Sequence, residues 1–236
     1  MKLPVLNGVI DRRILLNYKV LPGIAAKLLP SGLEPIVING YASAGICLLR
    51  LKNIGVRGTP SCARISSENA AHRFLVRSTE SGKVAYGVYI PRRDTDSVLN
   101  VVLAGQMFSW PHYHASFQTE ESNGRYHVTM KSNDGHATVE VRARIAETFP
   151  SASMFRSLDD ASATFCKSST GLSPSRTGGK LKSIRLQTRT WQVKPLEVEH
   201  LYSSYFEDRT VFPEGSIQFD NGLLMEGIEH EWLPND

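Results

Sequence analysis

Hydrophobic and polar residues alternate with a period of two along most of the chain, which predicts a β-rich protein. The alternation is clearest just after the middle of the chain, where apolar residues such as Val128 and Val139 occupy every other position. Asn123–Gly124 and Asp134–Gly135 break this pattern with the residues of tight hairpin turns. The pattern therefore predicts a three-stranded antiparallel meander with one face in water, with strands over 113–120, 125–131 and 136–145.

Further apolar segments predict the rest of the sheet and three short helices. The other predicted strands are 12–20, 41–51, 70–76 and 84–90 joined by a turn at Ser81–Gly82, 181–191, and a short strand near 216–219. The predicted helices are Pro22–Leu29, one capped by Asp94 or Asp96 that runs through Met107, and one capped by Ser157 that ends near Lys167. Residues 168–179 are rich in Ser, Thr, Gly and Pro and predict a loop.

These elements indicate the fold class. The helices are too few and too short to alternate with parallel strands, which excludes a doubly wound α/β fold. No segment has the composition of a linker between domains. We therefore expect one domain over residues 1–236 that is mainly β (α+β), with antiparallel strands forming a barrel or two packed sheets and about three short helices at the periphery.

Composition and charge exclude several classes of protein. A chain of 236 residues with 41% hydrophobic and 21% charged residues is typical of a globular protein, and it excludes disorder, collagen and coiled coils. The net charge of +4 is too small to predict a nucleic-acid partner. No apolar run approaches the length of about 20 residues that a membrane helix needs. Three scattered cysteines without a CxxC pair favour a cytoplasmic protein without a zinc site.

The segment from Trp110 to His114 is the first candidate for chemistry. On a strand, His112 and His114 would point to the same face and Tyr113 to the other. Two imidazoles at that spacing could act in acid–base chemistry or bind a metal ion. A metal site needs a third ligand that the sequence does not indicate, and both side chains could simply occupy a polar strand face.

Arg12 and Arg13 are the second candidate, at the beginning of the first predicted strand. An arginine inside a β-rich pocket would bind a carboxylate through two parallel hydrogen bonds. The alternative is a solvated strand edge, where paired charges discourage aggregation.

Short motifs along almost the whole chain carry a resemblance to a known family. They are Asp11–Tyr18, Leu28–Pro35, Glu68–Asn69, Trp110–His114, Trp191–Leu196 and His230–Trp232. With these motifs the chain resembles an uncharacterised bacterial family, a domain of unknown function that is distantly related to acetoacetate decarboxylase.

The resemblance implies a fold and a pocket. The fold is an acetoacetate decarboxylase-like cone or incomplete β-barrel with helices packed outside and a small-molecule pocket inside. In the decarboxylase, two lysines follow an aromatic–Pro turn, and one of them forms a Schiff base. Here His112 and Tyr113 follow Pro111, and neither can form that imine. The decarboxylase also uses an arginine near the position of Arg12, while its two pocket glutamates have no clear counterpart, with the first falling near Ser43.

We therefore expect a small-molecule pocket without the decarboxylase reaction or a cofactor. The ligand would be a small carboxylate or oxo acid, with His112 as the acid–base group and Tyr113 as a hydroxyl donor. The expected binding residues are Arg12, Arg13, His114, Glu68 and Asn69. A non-catalytic metabolite-binding module and a His112–His114 metal site are the alternatives. Exposed strand edges would also allow a homo-oligomer.

Overall fold

Most of the protein is β-sheet. A computed structural model describes residues 4–80, 83–101, 110–175 and 181–234. The strands are β1 (Leu6–Val20), β2 (Leu33–Pro35), β3 (Val37–Ile38), β4 (Tyr41–Val56), β5 (Ile65–Glu80), β6 (Lys83–Thr95), β7 (Tyr113–Ser122), β8 (Arg125–Ser132), β9 (Thr138–Ile145), β10 (Thr170–Ser173), β11 (Lys182–Thr188), β12 (Lys194–Ser203) and β13 (Ile217–Pro234). The helices are α1 (Pro22–Lys27) and α2 (Leu158–Lys167), with a 3-10 turn at Ser61–Ala63 and helical residues at 98–101.

The thirteen strands form one mixed sheet with the order β11-β10-β6-β7-β8-β9-β12-β13-β1-β4-β5-β2, and β3 pairs with β4. Additional pairings of β5 with β6 and of β11 with β13 turn the sheet back on itself. The junction between β6 and β7 consists of only two residue pairs, so the barrel is incomplete. This confirms the predicted β-rich cone or incomplete barrel with short helices.

The long strands β13, β1, β4 and β5 are consecutive in the sheet and bury residues on both faces. Ile14 and Leu16 of β1 belong to an apolar cluster with the meander strands, which Phe206 and Phe212 help to fill. Leu15 points the other way, into a second cluster that includes Phe165 of α2. A strand that contributes to two cores needs apolar residues at successive positions, which explains the continuous apolar run at residues 14–16.

Several predicted elements are confirmed. The meander has the predicted order, and its first turn places Asn123 and Gly124 at φ values of 49° and 73°, as a two-residue hairpin turn requires. Ser157 caps α2 by accepting a hydrogen bond from the backbone N–H of Asp160. The turn at residues 81–82 and most of the helix predicted to run through Met107 lie outside the described residues.

Other elements differ from the prediction. The cap of the helical residues at 98–101 is Ser97, whose hydroxyl accepts from the N–H of Asn100, because the Asp94 and Asp96 carboxylates are used elsewhere. The predicted loop at 168–179 contains β10, and the chain from 194 to 234 contains two long strands instead of one short one. Gly222 and Gly227 interrupt the apolar pattern of β13 and hide its length.

The described residues contain no helix with the length and apolar character of a membrane span.

Candidate anion-binding cavity

A cavity of about 220 Å³ lies on the α2 side of the sheet. Strands β1, β4, β5 and β6 form its floor, while β10, β11 and the end of α2 form its walls. Much of the lining is apolar, with Leu49, Val88 and Ile184 among its residues. A largely apolar cavity with a few convergent polar groups is the usual form of a small-molecule site.

Arg13 reaches this cavity, whereas its neighbour Arg12 does not. Alternation along β1 places Arg13 on the same face as Leu15, and Arg12 on the face of Ile14. The guanidinium Nε of Arg13 donates to Sγ of Cys47 at 3.2 Å. Its Cζ lies 5.6 Å from the ring centroid of Trp191.

Arg93 enters the cavity because β6 contains a bulge. Two residues of β6, Ile90 and Pro91, stand opposite the single residue Arg73 of β5. Proline lacks the N–H that a regular ladder would use, so it fits such an irregularity. The extra residue reverses the alternation, so that Arg93 lines the cavity and Arg92 does not.

Arg73 is 2% exposed and projects into the same cavity from β5. Its Nη2 donates to Oδ1 of Asn17, and its Cζ lies 4.7 Å from the ring centroid of Phe165. Its Nε and Nη1 have no hydrogen-bond partner among the described residues. Leaving buried N–H groups of a cation unpaired is costly. These two groups could therefore donate to a bound ligand.

The three cavity arginines pack against aromatic rings instead of acids. Arg93 lies 4.6 Å from the ring centroid of Trp110 and donates to the hydroxyl of Ser173. Within the described part of the chain, none of the three forms an ion pair with a carboxylate, and Asp94 at the cavity edge pairs with Arg92 instead. Burial lowers the pKa of Arg93 to about 9 and that of Arg73 to about 10. The cavity thus concentrates positive charge without a counter-ion from the described residues.

All three tryptophans of the chain line this cavity. Trp110, Trp191 and Trp232 come from three of the sequence motifs that are far apart along the chain. The fold brings those motifs together at one place. A ligand bound in the cavity would therefore change the fluorescence of the whole protein.

Arg12 and Glu68 lie on the opposite face of the sheet. Arg12 is 1% exposed and donates to Oε2 of Glu68 at 2.5 Å and to Glu121. Glu68 also accepts from Nε of Arg50 at 2.6 Å. Alternation along β1 and β5 places these two predicted binding residues on the face away from the cavity, where they form an ion pair with each other. Arg12 is buried and Arg13 is half-buried, so neither belongs to the solvated strand edge that was the alternative for this pair.

Asn69 follows Glu68 on β5 and faces the cavity. Its amide donates to the backbone carbonyl of Ser67 at 3.1 Å and to the Ser67 hydroxyl at 2.9 Å. These hydrogen bonds hold the side chain in place at the edge of the cavity.

The His112–His114 segment divides between two environments. His112 precedes β7 and lines the cavity, half-buried. Tyr113 is not among the lining residues, and its ring lies 4.2 Å from Cζ of Arg92. His114 lies outside the cavity, with Nε2 3.2 Å from the carbonyl oxygen of Asp96 and Nδ1 2.8 Å from the Asn133 amide nitrogen. The predicted common face for His112 and His114 is wrong, because β7 begins only at Tyr113.

No group of three or more His, Cys, Asp or Glu side chains within the described ranges could hold a metal ion. Both ring nitrogens of His114 are already used in hydrogen bonds. The described residues therefore give no support to a His112–His114 metal site.

No lysine is found among the described residues that line the cavity. Lys131 on β8 and Lys182 at the start of β11 both have exposed side chains. Lys180 lies outside the described residues.

Arg73 and Arg93 were missed as candidates from the sequence. A partial signal exists, because Asn69, Ala71 and Arg73 alternate on β5, so an arginine shares a face with a predicted site residue. For Arg93 the alternation of β6 points to Arg92, and only the bulge at Pro91 corrects it. A single sequence does not reveal that irregularity.

Comparisons with known proteins agree with this architecture. The family model of DUF2071, described as an uncharacterized conserved protein, matches residues 10–218. No curated protein matches the chain at a significant level. The protein is structurally similar to acetoacetate decarboxylase from Legionella pneumophila, with a TM-score of 0.62, 12% identity and coverage of 98% of this chain and 85% of that one.

Two further solved structures are similar. The enduracididine biosynthesis enzyme MppR complexed with pyruvate has a TM-score of 0.63 at 11% identity, covering 99% of this chain and 89% of that one. An acetoacetate decarboxylase-like enzyme from Sphingomonas wittichii has a TM-score of 0.62 at 11% identity, covering 98% and 91%. At these identities the likeness shows the fold, which is acetoacetate decarboxylase-like. Because the family model spans most of the chain, this protein belongs to the DUF2071 family.

Proposed function

We propose that this protein binds a small carboxylate, most readily a 2-oxo acid, in the cavity between strands β1, β4, β5 and β6 and helix α2. The observation that carries the proposal is that Arg13, Arg73 and Arg93 line one cavity and form no ion pair with a carboxylate within the described ranges. Buried charges are normally paired, because leaving water is costly for an ion. An anionic ligand would supply the missing partner.

The shape and chemistry of the cavity support a small ligand. Its volume of about 220 Å³ suits a molecule of a few carbon atoms better than a nucleotide. Arginine offers planar, paired N–H groups that match a carboxylate. The relative MppR, with the same fold, has been solved with pyruvate bound, which supports an oxo acid as the class to test first.

The reaction of the decarboxylase does not follow from the fold. His112 and Tyr113 stand where the resemblance expects two lysines, and the described lining contains no lysine. A Schiff base needs an amine nucleophile, and none of the described lining residues supplies one. We propose instead that His112 acts as an acid–base group on the bound oxo acid. A non-catalytic metabolite-binding module is the alternative, and it requires the same cavity.

Two other features are part of the proposal. The three cysteines are free thiols, which supports a reducing cytoplasmic location. Strands of one sheet run from Leu6 to Pro234, which supports one domain over residues 1–236. Assembly into a homo-oligomer stays a hypothesis that light scattering of the purified protein tests.

Tryptophan fluorescence tests the binding proposal directly. We expect pyruvate to change the emission in a saturable way, and methyl pyruvate, its neutral ester, to bind at least tenfold more weakly. A hydrogen bond to a charged group contributes about 1.5 kcal/mol or more, which corresponds to that factor. Arg93→Gln should weaken pyruvate binding similarly, whereas Arg142→Gln on the surface should not.

Equal affinity for pyruvate and its ester, or unchanged affinity in Arg93→Gln, would refute the carboxylate site. If pyruvate binds as expected, proton NMR of a panel of 2-oxo acids distinguishes an enzyme from a binding module. Substrate loss that disappears in His112→Ala supports an enzyme, whereas binding without turnover supports the module.

A further inference from the structure

A cysteine shares the cavity with the three arginines that have no carboxylate partner among the described residues. Cys47 is 3% exposed and lines the cavity from β4. In the strand register its neighbour Leu49 stands opposite Arg13, and Gly45 stands opposite Arg73. Side chains two residues apart share a face of a strand, so the sulfur lies on the same face as both guanidinium groups.

One of these arginines contacts the sulfur directly. Nε of Arg13 donates a hydrogen bond to Sγ of Cys47 at 3.2 Å. Cysteines that react as thiolates are commonly found beside arginine or lysine.

A second observation points to a ligand at this thiol. Arg73 is 2% exposed, lines the same cavity, and has Nε and Nη1 without a partner in the described part of the chain. The cavity therefore combines a nucleophilic atom with cationic donors that need an anion. An oxo acid offers both complements, since it carries a carboxylate next to an electrophilic carbonyl carbon.

We propose that Cys47 is a nucleophilic residue of this cavity and adds reversibly to the carbonyl carbon of a bound 2-oxo acid. The inference rests on the proposed carboxylate site and names the group that reacts there. The sulfur forms a bond to the carbonyl carbon while the π bond of the carbonyl breaks, and its electron pair moves to oxygen. The proton of the thiol ends on that oxygen, so the product is a hemithioketal and no other reactant is needed.

The arginines contribute in two ways. A guanidinium that holds the carboxylate keeps the neighbouring carbon near the sulfur, which raises the effective concentration of the two groups. A second guanidinium can stabilise the negative charge that develops on the former carbonyl oxygen. The chain thereby replaces the amine nucleophile of a Schiff-base site with a thiol, which also bonds reversibly to carbonyl carbon.

Site-resolved alkylation tests this inference on the unmodified protein. Iodoacetate and iodoacetamide react with thiols by the same step, in which a carbon–sulfur bond forms and iodide leaves, but only iodoacetate carries a carboxylate. Cys62 and Cys166 are exposed thiols of the same chain and serve as internal controls. We expect the iodoacetate-to-iodoacetamide rate ratio at Cys47 to exceed that at the two controls at least tenfold.

Arg13→Gln should reduce this ratio at Cys47, whereas Arg142→Gln should not. Pyruvate should protect Cys47 from iodoacetate and leave Cys62 and Cys166 reactive. A ratio at Cys47 equal to that at the exposed cysteines would overturn the inference, and so would a lack of protection by saturating pyruvate.

Carbon-13 NMR detects the adduct itself. With pyruvate labelled at its carbonyl carbon, we expect a protein-bound signal of a saturated carbon bearing oxygen and sulfur, which Cys47→Ser abolishes. If this signal is absent while pyruvate still changes the tryptophan emission of the wild type, Cys47 is not the nucleophile but the carboxylate site stands. If pyruvate does not bind at all, the proposed function fails as well.

Discussion

Arg12 and Arg13 are neighbours in the chain, yet their guanidinium groups lie on opposite faces of β1. Arg12 is held between Glu68 and Glu121, while Arg13 donates to the sulfur of Cys47 in the cavity. The alternation of a strand covered on both faces produces this separation. One arginine therefore serves the structure, and the other lines the cavity, where we propose that the ligand binds.

Replacing Arg12 should destabilise the protein strongly. Arg12→Met leaves Glu68 without one of its two arginine partners and removes a partner of Glu121 as well. Removing one partner of a buried ion pair typically costs about 3 kcal/mol, because a buried charge loses its compensation. Urea unfolding of the wild type and of Arg12→Met measures the loss. The surface variant Arg142→Met is the control and should change the free energy of unfolding by less than about 0.5 kcal/mol.

Replacing Arg93 should have a small or favourable effect on stability. Arg93 has no carboxylate partner in the described residues and lies against Trp110, so Arg93→Met removes a desolvated charge and keeps an apolar stem. We expect the variant to unfold within about 1 kcal/mol of the wild type, or to be more stable, in the absence of ligand. The same urea experiment checks this, and a loss as large as that of Arg12→Met would contradict it.

The buried histidine His72 should make the protein sensitive to acid. Its ring is 0% exposed, packs 4.8 Å from that of Tyr205, and has no hydrogen-bond partner among the described residues. Burial, with a smaller effect of the Arg92 charge, lowers the pKa of His72 from 6.5 to about 3. The unfolded chain therefore binds a proton between these values that the folded protein does not, so stability falls as the pH drops below 6.5.

Between pH 7 and pH 5 we expect His72 to account for about 2 kcal/mol of lost stability. His72→Phe retains an aromatic ring that cannot be protonated, so this part of the pH dependence should disappear. Unfolding at both pH values compares the two proteins, and any constant cost of the larger ring cancels in the difference. His136→Gln, at an exposed position, should keep the pH dependence of the wild type.

The Ser157 cap should contribute measurably to the stability of the protein through α2, the helix whose end forms part of the cavity wall. Its hydroxyl accepts from the Asp160 N–H at 3.1 Å, and α2 carries Phe165 onto Arg73. Ser157→Ala should lower the free energy of unfolding by about 1 kcal/mol, the usual value of such a cap. Ser116→Ala on the exposed face of β7 provides a comparison in which little change is expected. Identical unfolding of the two variants would show that the cap is dispensable.

The local patterns of the sequence contained most of the secondary structure. Period-two alternation and the Asn123–Gly124 turn are properties of neighbouring residues, so they identified the meander without knowledge of the fold. The same holds for the Ser157 cap. The family motifs also indicated the acetoacetate decarboxylase-like fold, because they occur in order along almost the entire chain.

The long strands were harder to recognise. β13 contains Asn221, Gly222 and Gly227, which interrupt its apolar pattern, and its pairing with β1, β11 and β12 compensates for them. Pairings between distant segments leave no local signal. The strand β10 was missed for the same reason, since it is four residues long and pairs with β6 and β11.

The sequence by itself determined a β-rich chain, its hairpin turns, and a set of motifs that included Arg13, Asn69 and His112. Only the tertiary structure decided that these three residues share a cavity with Arg73, Arg93 and Cys47. It also decided that Arg12 and Glu68 are paired on the other face. The reason is physical: a face of a strand follows from local alternation, but a bulge such as that at Pro91 reverses it, and which strands meet around a cavity depends on long-range pairing.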